Sequence, residues 1–193
     1  MTRKIRTAVL ISGSGSNLQA LIDAAQAADY PAEIALVFSN VEDAYGLWRA
    51  REAGIASVVM SHRDYPSREA FDQAIDDVLR DHDIELVCLA GFMRILSAEF
   101  TQKWAGNMLN IHPSLLPKYK GLQTHQRAIE SGDAEAGCSV HWVTPELDSG
   151  DVIAQARVPV LPGDDAETLA ARVLKEEHRL YPKVLAEVAA KLR

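Results

Sequence analysis

The sequence predicts an α/β fold: a mostly parallel central sheet with helices on both faces and an antiparallel strand region toward the C-terminus. Three observations lead there. Short apolar runs alternate with segments of helical periodicity, a glycine-serine loop follows the first run, and the later strands switch to apolar-polar alternation around a turn. Runs that are apolar throughout suit strands buried on both faces, and helical connections bring successive strands parallel.

The elements follow in order. Ala8-Val9-Leu10-Ile11 is the first strand and ends in Ser12-Gly13-Ser14-Gly15-Ser16. Leu18, Leu21, Ile22 and Ala25 then recur at helical spacing. Ile34 to Phe38 is a second strand, followed by a helical stretch near Leu47 to Ala53. Ser57 to Met60 is a third strand. After Pro66-Ser67, Phe71, Ile75, Val78 and Leu79 mark one helix face. Leu86 to Ala90 and Met108 to Ile111 supply the fourth and fifth strands. Cys138, Val140 and Trp142 alternate with Ser139, His141 and Val143. Val152 to Val158 follows the turn Asp148-Ser149-Gly150-Asp151, so the two segments read as an antiparallel pair. Asp164 and Glu167 have capping-box spacing ahead of a long C-terminal helix, which Pro182 is expected to kink or divide. No repeat, low-complexity segment or interdomain linker interrupts the 193 residues, and one domain is expected.

Composition narrows the function classes. The formal charge of −7 argues against nucleic-acid binding, which needs a basic face to displace counterions. It leaves room for a small anionic ligand, because a local field can oppose the net charge. The two cysteines, Cys88 and Cys138, form no C-x-x-C pair and no disulfide framework. Arg3, Lys4 and Arg6 precede an apolar stretch too short for a signal peptide. No run reaches the ~20 apolar residues needed to span a bilayer. A reduced, cytoplasmic protein without membrane contact is expected.

The loop Gly13-Ser14-Gly15-Ser16-Asn17 joins a strand to a helix. Glycines let backbone N–H groups approach an anion closely, and a helix N-terminus favours negative charge. Ser16 and Asn17 are also good N-caps. Leu18 stands where a dinucleotide fingerprint would need its third glycine, and the second strand ends in Ser39-Asn40 without an acidic residue for a ribose. The Walker lysine is missing as well. A ligand the size of a monophosphate fits this loop better than a dinucleotide. A tight turn that binds nothing is the other reading.

The densest polar constellation is Asn110-Ile111-His112-Pro113, answered by Asp148. Two residues apart at a strand end, Asn110 and His112 point to the same side, and Pro113 limits His112 to extended backbone. An amide can donate to a developing oxyanion, an imidazole can donate or move a proton near neutral pH, and a carboxylate can orient the imidazole. Whether Asp148 reaches His112 depends on folding. None of the six histidines forms H-E-x-x-H or has cysteines at zinc spacing, so no metal site is expected. No G-x-S-x-G elbow supports serine-hydrolase chemistry.

The chain resembles the folate-dependent formyltransferases, and among them the phosphoribosylglycinamide formyltransferases. The resemblance rests on Ser12 to Leu18, Phe38-Ser39-Asn40, Ala90 to Leu96, Leu109 to Pro117, Glu146-Leu147-Asp148 and Glu177-His178. The Asn-x-His-Pro-Ser-Leu-Leu-Pro core marks the wider superfamily, and the serine-glycine loop with Asn17 marks the narrower group. The resemblance implies a Rossmann-like formyltransferase fold. Its halves would be a phosphate-binding one over about 1–100 and a catalytic, folate-binding one over about 101–193. It implies formyl transfer from 10-formyltetrahydrofolate, acting as co-substrate, to the amine of 5-phosphoribosylglycinamide. By that similarity Gly15, Ser16 and Asn17 would hold the phosphate and Glu177 the ribose. Arg68, Met93, Arg94, Ile95, Leu96 and the loop Thr144, Pro145, Glu146, Leu147 and Asp148 would line the folate site, with Asn110 contacting folate too. Asn110, His112 and Asp148 match the catalytic trio.

Two positions depart from the family pattern. Lys120 and Asp151 replace common prolines, which puts loop rigidity in question; Gln123-Thr124-His125 keeps the family's Thr-His pair. A related hydrolase that releases formate would use the same trio but usually carries an N-terminal regulatory domain, whereas here the first strand starts near residue 7. Methionyl-tRNA formyltransferase usually carries a C-terminal RNA-binding domain, and here nothing follows Arg193. A non-catalytic phosphate-binding module would leave the trio without a joint purpose. The oligomeric state is not legible from the sequence.

Overall fold

The computed structural model describes residues 3–193. Among the described residues seven strands form one sheet: β1 (Ile5–Ile11), β2 (Ala32–Ser39), β3 (Ala56–Val59), β4 (Leu86–Leu89), β5 (Met108–His112), β6 (Glu135–Trp142) and β7 (Val152–Pro159). The helices are α1 (Ser16–Ala25), α2 (Tyr45–Glu52), α3 (Arg68–Asp81), α4 (Ala98–Lys103), α5 (Thr124–Glu130) and α6 (Ala166–Leu192). The strand order is β3-β2-β1-β4-β5-β6-β7. The pairs from β3 to β5 are parallel, and β6 and β7 are added antiparallel. After β3 the chain crosses back past β1 to begin β4. That reversal makes the C-terminal ends of β1 and β4 the switch point where an open α/β sheet leaves a crevice.

The strand period of two divides the apolar residues between two cores. Val9, Ile11, Val37, Leu86, Cys88, Leu109 and Ile111 face one core with Leu18 and Leu21 of α1 and Val184 and Leu185 of α6. Ala8, Leu10, Leu36, Phe38, Val87 and Met108 face the other, filled by Phe71, Ile75 and Leu79 of α3 and Phe100 of α4. On β5 this parity puts Asn110 and His112 on the Met108 face, as their spacing predicts. On β6 it puts Ser139 and His141 opposite the Cys138 and Val140 face. The register pairs Asn110 with His141 and His112 with Ser139, so four polar residues share one patch of sheet.

Three local expectations are corrected. The capping box of α6 is formed by Asp165 and Thr168, one residue beyond the Asp164-Glu167 spacing. Asp164 is engaged elsewhere: it accepts the Leu161 N–H at 2.7 Å and pairs with Arg172 at 2.6 Å. The Arg172 hydrogen bond holds its carboxyl well below the usual carboxylate range. Pro182 does not divide α6, which runs for 27 residues. Tyr181, Val184 and Leu185 around it are fully buried, and that packing outweighs the ~3 kcal/mol an interior proline costs. At α1 the cap is Gly15, so Ser16 and Asn17 are helical residues and not N-caps. The helices α4 and α5, with 6 and 7 residues, are too short to show a periodicity in the sequence.

Candidate active site

The glycine loop leaves β1 and turns into α1 at Gly15, whose φ of 70° lies in the left-handed region that glycine adopts without strain. No side chain caps α1, so its first N–H groups are left for another acceptor. The loop is held from α2. Gly46 donates its N–H to the Gly13 carbonyl at 3.0 Å, and Arg49 Nε donates to the Ser14 carbonyl at 2.8 Å. A Cβ on Gly15 would lie 2.7 Å from the Gly46 Cα.

From the opposite side comes α6. Asn17 Nδ2 donates to Glu177 Oε2 at 2.7 Å across 160 residues of sequence. Glu177 is buried. Burial pushes its carboxyl up, opposed by the Asn17 hydrogen bond and by the charge of His112. Asn17 Oδ1 is buried without a partner. The glycine loop and Glu177 therefore meet through Asn17.

His112 is buried at the end of β5. Its Nε2–H donates to the Tyr119 carbonyl at 2.8 Å, which leaves Nδ1 facing Asp148 Oδ2 at 3.5 Å. That separation is longer than a good hydrogen bond, so Nδ1 is not locked. Asp148 has a φ of 48°, and its Oδ2 accepts the Gly121 N–H at 2.9 Å. The carboxylate thus joins its own loop to the turn around Gly121. Lys120, one of the two family departures, adds a second stitch: its Nζ donates to Ser149 Oγ at 2.7 Å. At the other departure the Asp151 carbonyl accepts the Trp142 N–H, a role open to any residue.

Two residues not singled out from the sequence support this centre. His141 Nδ1–H donates to the Trp142 carbonyl at 2.9 Å, so its Nε2 accepts from Asn110 Nδ2 at 3.2 Å. That contact orients the Asn110 amide with its nitrogen toward His141, whose Nε2 is also 3.8 Å from Asp148 Oδ1. Ser139 Oγ donates to the Ser114 carbonyl at 2.7 Å and accepts the Leu116 N–H at 3.1 Å, holding the turn after His112. The polar positions of the alternating segment signalled both residues. Their partners depend on register, which the sequence does not display.

The residues that resemblance assigns to a folate site are mostly exposed. Met93 and Ile95 are 63% and 54% exposed and Leu147 is 52% exposed, which leaves three large apolar side chains for an apolar ligand to cover. Thr144, Pro145 and Glu146 are exposed beside Leu147, and Arg94 is half-buried. Arg68 is exposed at the first residue of α3, where its charge acts on Asp72. Leu96 differs: its side chain is buried in the α3 core. No group of three His, Cys, Asp or Glu side chains among the described residues is placed to hold a metal ion.

His141 yields a pH prediction. Burial lowers its pKa below the ordinary 6.5. A histidine depressed in the folded state contributes stability that is present above pH 6.5 and lost as pH falls toward the folded value. Protonated His141 also cannot accept from Asn110. His141→Gln should therefore lose less stability than the wild type on acidification below pH 6.5, measured as urea midpoints across pH. A pH-independent gap between the two proteins would refute the assignment.

The chain matches the family model for formyl transferase over residues 5–185. The phosphoribosylglycinamide formyltransferase of Escherichia coli is 53% identical over 177 residues, covering 92% of this chain and 84% of that protein. The trifunctional purine biosynthetic protein adenosine-3 of Drosophila pseudoobscura is 53% identical over 187 residues, covering 96% of this chain but 14% of that protein. The chain thus spans a small part of that longer relative. The crystal structure of phosphoribosylglycinamide formyltransferase from Brucella melitensis superposes with a TM-score of 0.94 at 54% identity, covering 97% of both chains. A match that runs from the first strand into the last helix makes this chain a member of the formyl transferase family, in its phosphoribosylglycinamide formyltransferase branch.

Proposed function

We propose that the chain transfers a formyl group from 10-formyltetrahydrofolate to the amine of 5-phosphoribosylglycinamide, a step of purine synthesis. The observation that carries the reading is the convergence of Asn110, His112 and Asp148, with His112 Nδ1 and Asp148 Oδ2 3.5 Å apart in a buried setting. The neutral amine attacks the formyl carbon, forming a C–N bond as the carbonyl pair moves onto oxygen. The Asn110 amide and protonated His112 stabilise the oxyanion. With Nε2 bonded to the Tyr119 carbonyl, Nδ1 is the nitrogen left for this chemistry. Asp148 positions the imidazole and, through water, helps carry the proton from the incoming amine to the departing folate nitrogen as the old C–N bond breaks.

The acceptor's phosphate takes the open N–H groups at Gly15, Ser16 and Asn17, and Glu177 takes the ribose hydroxyls. Exposed Met93, Ile95 and Leu147 offer apolar surface to the folate, with Arg68, Arg94 and the Thr144 to Asp148 loop around it. Leu96 contributes through its backbone. One sheet carries both halves of the site, so phosphate binding and chemistry share a rigid support.

Incubating the purified protein with 10-formyltetrahydrofolate tests this, with phosphoribosylglycinamide present or absent. Deformylation that needs the amine is expected. Deformylation without it indicates a hydrolase, and none under either condition indicates a binding module. A second test concerns Asn17. Asn17→Leu removes the partner of Glu177 and adds bulk at the loop, so the KM for the amine should rise by about tenfold, a loss of ~1.4 kcal/mol in binding. Steady-state kinetics giving an unchanged KM would favour the reading of the loop as an inert turn.

A further inference from the structure

Ser12 follows the last residue of β1, and its hydroxyl has two partners. It donates to Asn40 Oδ1 at 2.5 Å and accepts the Met93 backbone N–H at 2.8 Å. Asn40 follows the end of β2, and Met93 lies four residues beyond the end of β4. Because β1 sits between β2 and β4, one hydroxyl joins the C-terminal ends of three neighbouring strands. The motif Phe38-Ser39-Asn40 gains a purpose here. Ser39 Oγ donates to the Val41 carbonyl at 2.7 Å and accepts the Val41 N–H at 3.0 Å, fixing the turn that presents Asn40. Asn40 itself is buried.

A serine hydroxyl has one proton and two lone pairs. Donation to Asn40 fixes the proton's direction, so the lone pairs face the Met93 N–H. On one side Ser12 is covalently joined to the loop that begins at Gly13. On the other it holds the first residue of the Met93 to Leu96 segment. We propose that Ser12 is a positioning residue that couples the amine-side phosphate loop to the folate-side segment, with Asn40 setting its hydroxyl. This inference rests on the function proposed above. Ordering of either segment by its ligand is transmitted through the one hydroxyl, and such coupling is reciprocal.

The test is calorimetric titration of tetrahydrofolate into the full chain, alone and saturated with phosphoribosylglycinamide. The wild type should bind tetrahydrofolate about 5-fold or more tightly when the amine is present, the lower end of ordinary coupling. Ser12→Ala should bring that factor toward one and weaken tetrahydrofolate alone by about 3–10-fold, the worth of one hydrogen bond. Ser12→Thr retains the hydroxyl and should restore the coupling. Asn40→Ala should act in the same direction and add little on top of Ser12→Ala, as expected for two members of one network. Should Ser12→Ala fail to fold, Asn40→Ala carries the same expectation. A wild-type factor of one, or a wild-type factor retained in Ser12→Ala or Asn40→Ala, overturns the coupling role. Failure of the wild type to bind either ligand overturns the functional reading itself, and this inference with it.

Discussion

Asn110→Ala is expected to lower turnover by about 10²–10³, the usual loss when one oxyanion donor is removed. The side chain is only part-buried, and its hydrogen-bond partner, His141 Nε2, lies 3.2 Å away. Truncation removes that one side-chain hydrogen bond from a half-buried position, so folding should persist. The loss should fall chiefly on kcat, because the donor acts on charge that develops only in the transition state, with a smaller rise in the folate KM from the lost contact. Near-wild-type kcat in a folded variant would remove Asn110 from the mechanism. A large rise in KM with intact kcat would instead make it a binding residue.

Gly15→Val should produce the second large effect, on both binding and stability. The residue has a φ of 70°, a region hostile to β-branched side chains. Left-handed backbone costs an ordinary residue roughly 1–2 kcal/mol. The new Cβ would also meet the Gly46 Cα at 2.7 Å, a backbone atom that cannot turn aside, and such overpacking adds about 1–3 kcal/mol. The urea midpoint should fall and the KM for the amine should rise as the loop is pushed off α2. Gly13→Ala is the control, because a Cβ there meets nothing within 4 Å and no left-handed φ is required. Equal damage from both substitutions would show that close packing at Gly15 is not what shapes the loop.

Several residues show why some of this was legible from the chain and some was not. The strand runs were visible because burial on both faces makes them apolar throughout, a local signature. Leu18, Leu21 and Ile22 declared α1 through their spacing. The six-residue α4 had no such record, since one and a half turns cannot establish a period. Asp164 and Asp165 both sit at plausible distances from a helix start, and only the pull of Arg172 on Asp164 leaves the cap to Asp165. Pro182 carries a local penalty that burial of its helix neighbours Tyr181 and Val184 overcomes, and the residues that bury them, Leu86, Cys88 and Leu109 among them, belong to other parts of the chain.

The sequence by itself determined the α/β class, the glycine loop and the shared face of Asn110 and His112, and resemblance pointed to Asp148, which the fold brings to 3.5 Å from His112. The first three rest on residue types and periods within a few positions of one another, where sterics and backbone geometry act directly. Only the tertiary structure decided the rest: His141 opposite Asn110, Glu177 against Asn17, the Gly121 N–H on Asp148, and Ser12 between Asn40 and Met93. Each depends on strand register, strand order or helix packing across many residues. Those quantities follow from burying the two cores as a whole, and no short segment contains them.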